Sequence, residues 1–371
     1  MATCRFWPDP LQAVLLHAVL DEGPTAAGAA RDWLGRVAFD TLDAGSQRLL
    51  PLLSTRLKQH GIDHPLRARI DGFYRRAWYF NQRFQAQLAL IRRLLDDIGV
   101  PHLLLKGAAL GPDVYGHGAL RPADDIDILV RPSDLRIVGI TLQDLGWIST
   151  GGDPGLFGQS ETFRSSIGEI DVHVSPFPEI TDDRQVEALW EDSREIEKDG
   201  LPAHFLSRHD QLLHTLTHGL RVNEVPPIRW VADAVFCIRA YGQALDWDRF
   251  AERAEKLQFA LVASRGLGYL NDHFSLPVPE TIVRRLARAG DTRQERMEFA
   301  LTRERVHFPL GLWVVSRRSG LSCGGRLKSI TSRYSTAWQT TGRIDFLKRA
   351  ATRAVLGRAR TERRYRDGKP N

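Results

Sequence analysis

The sequence predicts a small α/β or α+β sheet enclosed between two helical regions. Three observations predict it. Helical period runs through about the first 98 residues, short strand and helix units alternate from Pro101, and helix-length segments return after about residue 205.

In "PDPLQAVLLHAVL", Leu11, Val14, Leu15 and Ala18 fall at i, i+3, i+4 and i+7, so one helical face is apolar. Asp9 followed by Pro10 reads as an N-cap with Pro at the first helical position. The longer stretch "RARIDGFYRRAWYFNQRFQAQLALIRRLLDDIG" keeps the period up to Gly99, and Pro101 resets the chain. "HLLLKG" is an apolar run ended by Gly, hence a strand, and "AALGPDVYG" a short helix or turn. "DDIDILV" is a second strand, after which Pro132, Ser133 and Asp134 open a helix that runs towards "LGW". "ETFRSS" and "GEIDVHV" form a hairpin, "DDRQVEALWED" a helix, and the glycine-rich "GGDPGLFGQ" (151–159) a loop. "RHDQLLHTLTHGL", "IRWVADAVFCIRAYG", "DWDRFAERAEKL" and "PETIVRRLARAG" are helices. These readings divide the chain into a helical region 1–98, a sheet core 99–205, a helical domain 206–290 and a basic helical segment 291–371.

Size and composition narrow the function classes. The 371 residues suffice for two or three domains, and 43% hydrophobic with 26% charged residues is ordinary for a soluble globular protein. No apolar run is long enough to span a membrane, and the start of the chain lacks the pattern of a signal peptide. Cys4, Cys237 and Cys323 match no zinc or redox spacing and are too few and too scattered for a disulfide framework. A cytoplasmic protein without a membrane partner is expected. Charge is uneven. Residues 301–371 hold 17 Lys/Arg against 4 Asp/Glu, a surplus of 13, so the other 300 residues carry −7 of the net +6. Such a segment is either a solvated helical tail or a contact for an anionic polymer or acidic peptide.

The chemistry concentrates in "LRPADDIDILVRPSD". A strand alternates its side chains, so Asp125 and Asp127 share one face while Ile126 and Ile128 take the other. Two carboxylates about 6 Å apart repel by roughly 3 kcal/mol at an effective dielectric near 20, so a cation must offset the cost. Mg²⁺ suits the place, since it binds one or two carboxylates together with substrate phosphates. Asp171, in "GEIDVHV", joins the same face if its strand lies beside the first. Three acids on neighbouring strands suit two-metal phosphoryl or nucleotidyl transfer, in which the third acid takes the proton of the incoming hydroxyl. Upstream, the strand-to-helix passage at Lys106 and Gly107 places backbone N–H groups where phosphate binds, and Lys106 and Arg121 flank the acids as positive groups.

The pattern resembles the nucleotidyltransferase superfamily with the DNA polymerase β-like fold. It is particularly similar to a bacterial nucleotidyltransferase family marked by "LKG", a tyrosine, an Arg-Pro pair and "DIDILV". Here these are Leu105-Lys106-Gly107, Tyr115, Arg121-Pro122 and Asp125-Ile126-Asp127. The likeness continues through "LGW" (145–147), "IDVHV" (170–174), "DQLLHTLTH" (210–218), "RWVADA" (229–234) and "LDW" (245–247), covering about residues 70 to 275. The resemblance implies an α+β fold, a small mixed-sheet catalytic core with helical flanks. It implies Mg²⁺- or Mn²⁺-dependent transfer of a nucleoside monophosphate from an NTP, with ATP expected, to an acceptor hydroxyl. Asp125, Asp127 and Asp171 would be the metal-binding and catalytic acids; Lys106, Gly107 and Arg121 would bind the nucleotide. The chain departs from the wider superfamily's Gly-Ser pair: Ala108 follows Gly107, and 17 residues separate Gly107 from Asp125. The acceptor could be a small metabolite, a peptide or protein side chain, or RNA.

Other polar residues have plainer readings beside functional ones. His214 and His218, four apart on one helix face, have zinc spacing without the Glu of a metalloprotease, and are expected to line the sheet interface or the substrate cleft. His209-Asp210 resembles the pair of HD-type phosphohydrolases, although Asp210 also suits a helix N-terminus. Asp233, four residues after Arg229, is expected to pair with it along the helix. His173 shares the face of Asp171 and is open to both a phosphate contact and a structural role. Asp124, out of phase with the other acids, is a strand-entry residue. Two other function classes remain open: an HD-like phosphohydrolase, and a catalytically silent scaffold that binds through the basic segment.

Overall fold

The computed structural model of the chain describes residues 6–300 apart from 117, 151–159, 178, 181, 199–200 and 222–226. The loop expected at 151–159 and the basic segment from 301 onward lie outside the described residues.

Among the described residues five α-helices precede the sheet: α1 (Pro10–Leu20), α2 (Gly23–Arg36), α3 (Ala44–Gln47), α4 (Leu50–Gln59) and α5 (Arg67–Asp97). The start of α1 is fixed as its sequence suggests. Asp9 accepts hydrogen bonds from the Leu11 and Gln12 backbone N–H groups, Gln12 answers the Asp9 N–H, and Pro10 takes the first helical position. α5 is 31 residues long and ends where Gly99 turns the chain with φ of 67°. Then follow β1 (Leu103–Leu104), α6 (Lys106–Val114), β2 (Ile126–Leu129), α7 (Leu135–Asp144), β3 (Ile148–Ser149), β4 (Ser160–Ser165), β5 (Gly168–His173), α8 (Asp183–Glu191), β6 (Arg194–Lys198) and β7 (Leu201–Phe205). The remaining helices are α9 (Arg208–Gly219), α10 (Arg229–Tyr241), α11 (Trp247–Lys256), α12 (Ala260–His273), α13 (Glu280–Ala289) and α14 (Arg293–Phe299).

The seven strands make one mixed sheet in the order β3-β4-β5-β2-β1-β7-β6. β2 runs parallel to β5 and β1 parallel to β7; the other neighbours are antiparallel. The fold is α+β, with helical flanks on a mixed sheet. One face of the sheet is a closed apolar layer. Ile126, Ile128, Phe163, Ile170 and Val172 pack against Phe84, Leu88, Ile91 and Leu95 of α5 and Val138 and Leu142 of α7. Each such side chain, once removed from water, stabilises the fold by about 1.5–3 kcal/mol before entropy is counted. That layer holds β2 in place, so the opposite face can carry polar groups.

The helices before and after the sheet do not form separate bodies. Leu15, Leu16, Trp33 and Leu53 share a core with Leu212, Trp230, Val231, Phe250 and Leu267. Trp230 also donates from its indole nitrogen to the Phe6 carbonyl at 3.1 Å. No helix among the described residues is long and apolar enough to cross a membrane.

Three elements depart from the sequence reading. The hairpin β6–β7 stands where only a Pro/Gly break is legible, because the edge strand Arg194–Lys198 is mostly charged and lacks an apolar face. α12 is rich in small residues, and its Gly266 lies against Leu216 and Leu220, a close approach with no strong apolar period to announce it. β3 has only two residues.

Candidate active site

The site forms where β2, β5 and the first turn of α6 meet. Parallel register sets Asp127 directly beside Asp171 and Leu129 beside His173, so Asp127, Asp171 and His173 lie on one face of adjacent strands. Ile126 and Ile128 project to the other face and are buried there. The division of "DDIDILV" into an apolar and an acidic face is thus built into the pleat.

Asp127 is fully buried. Its Oδ1 accepts from Lys106 Nζ at 2.5 Å and lies 2.8 Å from His173 Nε2. Burial alone would raise its pKa, but the Lys106 ammonium and His173 outweigh this and hold it down at about 2. The other oxygen, Oδ2, is buried without a hydrogen-bond partner. A buried acceptor left open costs free energy unless a cation or a donor reaches it. Asp171 accepts from Thr162 Oγ1 on β4 at 2.6 Å, which orients its carboxylate across the hairpin.

Asp125 sits one residue before β2 begins, half-buried at the strand's mouth. Desolvation, then the charge of Asp127, push its pKa up to about 6. Asp124 points away, 80% exposed, and pairs with Arg48 at 3.3 Å. Among the described residues, the His, Cys and carboxylate groups close enough to hold one ion are Asp127, Asp171 and His173, whose ligand atoms lie within 4.8 Å of one another. The grouping differs from the expected Asp125, Asp127 and Asp171: His173 enters the cluster and Asp125 stands beside it. Two carboxylates, an imidazole and an open buried oxygen fit a divalent cation.

Lys106 is the first residue of α6 and has φ of 43°, a left-handed conformation that costs a non-glycine residue about 1 kcal/mol. The Leu105 N–H bonds the Asp127 carbonyl at 3.0 Å, tying the entry of α6 to β2. The Lys106 ammonium, although largely buried, has its pKa raised by Asp127, Asp125 and Asp171 together. Gly107 follows. A Cβ there would meet the Ala123 Cβ at 2.5 Å and Arg121 Nη1 at 3.1 Å, so only glycine lets the α6 turn lie this close to the segment leading to Asp125.

Arg121 is 5% exposed. Its Nε and Nη2 donate to the two oxygens of Asp233 at 2.8 and 2.9 Å, while Nη1 is buried without a partner. Most of its charge is therefore spent inside the protein. The pairing of Asp233 with Arg229 expected along α10 does not form. Asp233 takes Arg121 and Tyr115 instead, and Arg229 donates to the Pro122 carbonyl at 2.5 Å. Tertiary partners displaced the local one because the i, i+4 contact is worth only a few tenths of a kcal/mol, about 0.2–0.5.

Across the site, the rings of His214 and His218 of α9 lie 5.9 Å apart and tilted by 52°, and His214 meets Phe177 edge-on. Burial, then the Lys106 charge, drive the pKa of His214 down to about 3 and that of His218 well below its usual value. Burial thus favours the neutral form of both imidazoles, and neither belongs to the group of possible metal ligands found among the described residues. His209-Asp210 is no metal site in this arrangement. Asp210 is fully buried, accepts from Ser207, and is held by Arg253 through both oxygens at 2.7 and 3.0 Å.

A mixed sheet with acids on two parallel neighbours, beside a glycine-bearing helix start, agrees with the expected nucleotidyltransferase class. The chain belongs to a family described as uncharacterised nucleotidyltransferases, whose family profile matches residues 44–275. Among solved structures, the chain is similar to the antibiotic-resistance factor ANT(2'')-Ia, described with substrate-regulated conformation dynamics. The two are 18% identical with a TM-score of 0.35, over 52% of this chain and 98% of that one. No curated protein matches this sequence.

Proposed function

We propose that the protein transfers a nucleoside monophosphate from an NTP, with ATP as the expected donor, to an acceptor hydroxyl in a Mg²⁺- or Mn²⁺-dependent reaction. One observation carries this reading: Asp127 and Asp171 stand side by side with His173, and the buried Asp127 Oδ2 has no protein partner. Asp127 and Asp171 hold the cation, with His173 or Asp125 completing its protein ligands. A bound divalent cation supplies positive charge for the phosphates.

The first turn of α6 offers backbone N–H groups at Lys106 and Gly107 to the phosphates. Lys106, which neutralises Asp127 in the ligand-free protein, is within reach of a triphosphate on the same acids. Arg121 contributes to this turn from behind, through its Nη1 against Gly107, rather than as an exposed phosphate clamp. In the transfer, the acceptor oxygen bonds the α-phosphorus, the bond to the β-phosphate bridging oxygen breaks, and pyrophosphate leaves. The acceptor's proton passes to Asp171, whose carboxylate is already oriented by Thr162. The acceptor is a hydroxyl on a small metabolite, on a peptide or protein side chain, or on RNA.

Calorimetric titration of ATP with Mg²⁺ or Mn²⁺ tests the reading. Wild type should bind, and the Asp125→Asn/Asp127→Asn double variant should lose the metal-dependent part. Equal metal-dependent binding by both proteins would sink the proposed site.

A further inference from the structure

One buried polar network lies outside the acid cluster, and the chemistry above uses only its Arg121. On α10, the 5% exposed Asp233 accepts from Tyr115 Oη at 2.8 Å and from Arg121 Nε and Nη2 at 2.8 and 2.9 Å. One turn earlier, Arg229 donates to the Pro122 carbonyl. Tyr115 also lies against Phe236 of α10, ring centroids 4.2 Å apart. Every one of these contacts grips the same segment, the chain from Tyr115 to Asp125 that joins the end of α6 to the start of β2.

That segment has two functional ends. Ala123 is packed so tightly on Gly107 that a Cβ at 107 would sit 2.5 Å from it, which sets the position of the first turn of α6. Asp125 follows two residues later. α10 belongs to the C-terminal helices, whose core is continuous with that of the N-terminal helices, and its Trp230 bonds the Phe6 carbonyl. The sheet alone does not fix residues 115–125, since β2 begins only at Ile126. A buried ionic network is a poor source of stability compared with apolar packing, so geometry is the property it supplies best.

Resting on the proposed function, we propose that Asp233 is a positioning residue. Through Arg121 and Tyr115 it holds the Gly107 turn and Asp125 in the relative placement that lets metal and nucleotide bind together. It touches neither ligand. The C-terminal helices thereby act on the site through Asp233, with Arg229 and Phe236 of the same helix on the same segment, and the "Y", "RP" and "RWVADA" elements of the sequence are one structural unit.

The test is calorimetric binding of ATP in the presence of Mn²⁺, with a melting curve for each protein and the electron paramagnetic resonance spectrum of the Mn²⁺–ATP complex. Asp233→Asn should weaken Mn²⁺–ATP binding about tenfold and alter the Mn²⁺ spectrum, and Tyr115→Phe should weaken binding about threefold. Asp210→Asn is the control: it breaks a similarly buried carboxylate–arginine pair on α9 and should lower the melting temperature with binding and spectrum unchanged. A folded Asp233→Asn that binds within twofold of wild type, with the same spectrum, overturns the inference. If Asp233→Asn does not fold, Tyr115→Phe and Arg229→Met decide: wild-type affinity in both overturns it. Failure of wild type itself to bind ATP overturns the proposed function, and this inference with it. Wild-type binding with unaffected variants overturns this inference alone.

Discussion

Asp125 and Asp127 are two residues apart and titrate in opposite directions because they meet different neighbours. Asp127 has Lys106 and His173 on its oxygen and is held at about 2, whereas Asp125 has burial and the charge of Asp127 against it and rises to about 6. The folded protein therefore binds more protons than the unfolded chain at Asp125 between roughly pH 4 and 6. Its contribution to stability is full below about pH 4 and lost as pH rises through 6. For Asp127 the sign is reversed: stability is present above about pH 4 and lost as pH falls through 2. Asp125→Asn should thus stabilise the ligand-free protein at pH 7 by about 1–2 kcal/mol, after discounting for partial exposure. It should also flatten the decline in stability between pH 4 and 6. Denaturant melts of both proteins at pH 4, 6 and 7 check this, and a variant less stable than wild type at pH 7 would contradict it. At this scale the sequence was informative about alternation, since period two places Asp125 and Asp127 opposite the isoleucines. It was silent about partners. Nothing in "IDVHV" says that His173 will share an oxygen of Asp127, because that depends on register with a strand 44 residues away.

Among the elements, the α6 turn is the tightest fit. Gly107 has an ordinary negative φ, so its requirement is space and not backbone freedom: the Ala123 side chain occupies the volume a Cβ needs. Gly107→Ala should cost about 1–3 kcal/mol by forcing the α6 turn and the 115–125 segment apart. Its larger effect should be on nucleotide, with Mn²⁺–ATP affinity falling while a far-ultraviolet spectrum stays native. Unchanged ATP affinity in calorimetry would show that the turn does not contact phosphate. The existence of most helices could be read from apolar period and caps, as at Asp9-Pro10, because those signals are local. β6 and α12 could not, since a charged edge strand and a small-residue helix owe their form to what they pack against.

For the whole molecule, residues 6–43 precede the family match at 44–275, yet they build part of the main core. Phe6, Leu15, Leu16 and Trp33 are fully buried there, and Trp230 bonds the Phe6 carbonyl. A protein lacking residues 1–43 keeps every site residue but loses several buried side chains worth about 1.5–3 kcal/mol each, against a total stability of only about 5–15 kcal/mol. It should be insoluble or bind a hydrophobic dye strongly, with no cooperative melt. A sharp thermal transition would show that the first two helices are dispensable. Period alone determined that a small sheet lies between helical regions, and which residues could be its acids, because alternation and capping are properties of neighbours in sequence. Only the tertiary structure decided that Asp127 and not Asp125 is fully buried, and that His173 joins the acids. It also decided that Arg121 turns inward to Asp233, since each of these depends on charges and strands brought together from distant parts of the chain.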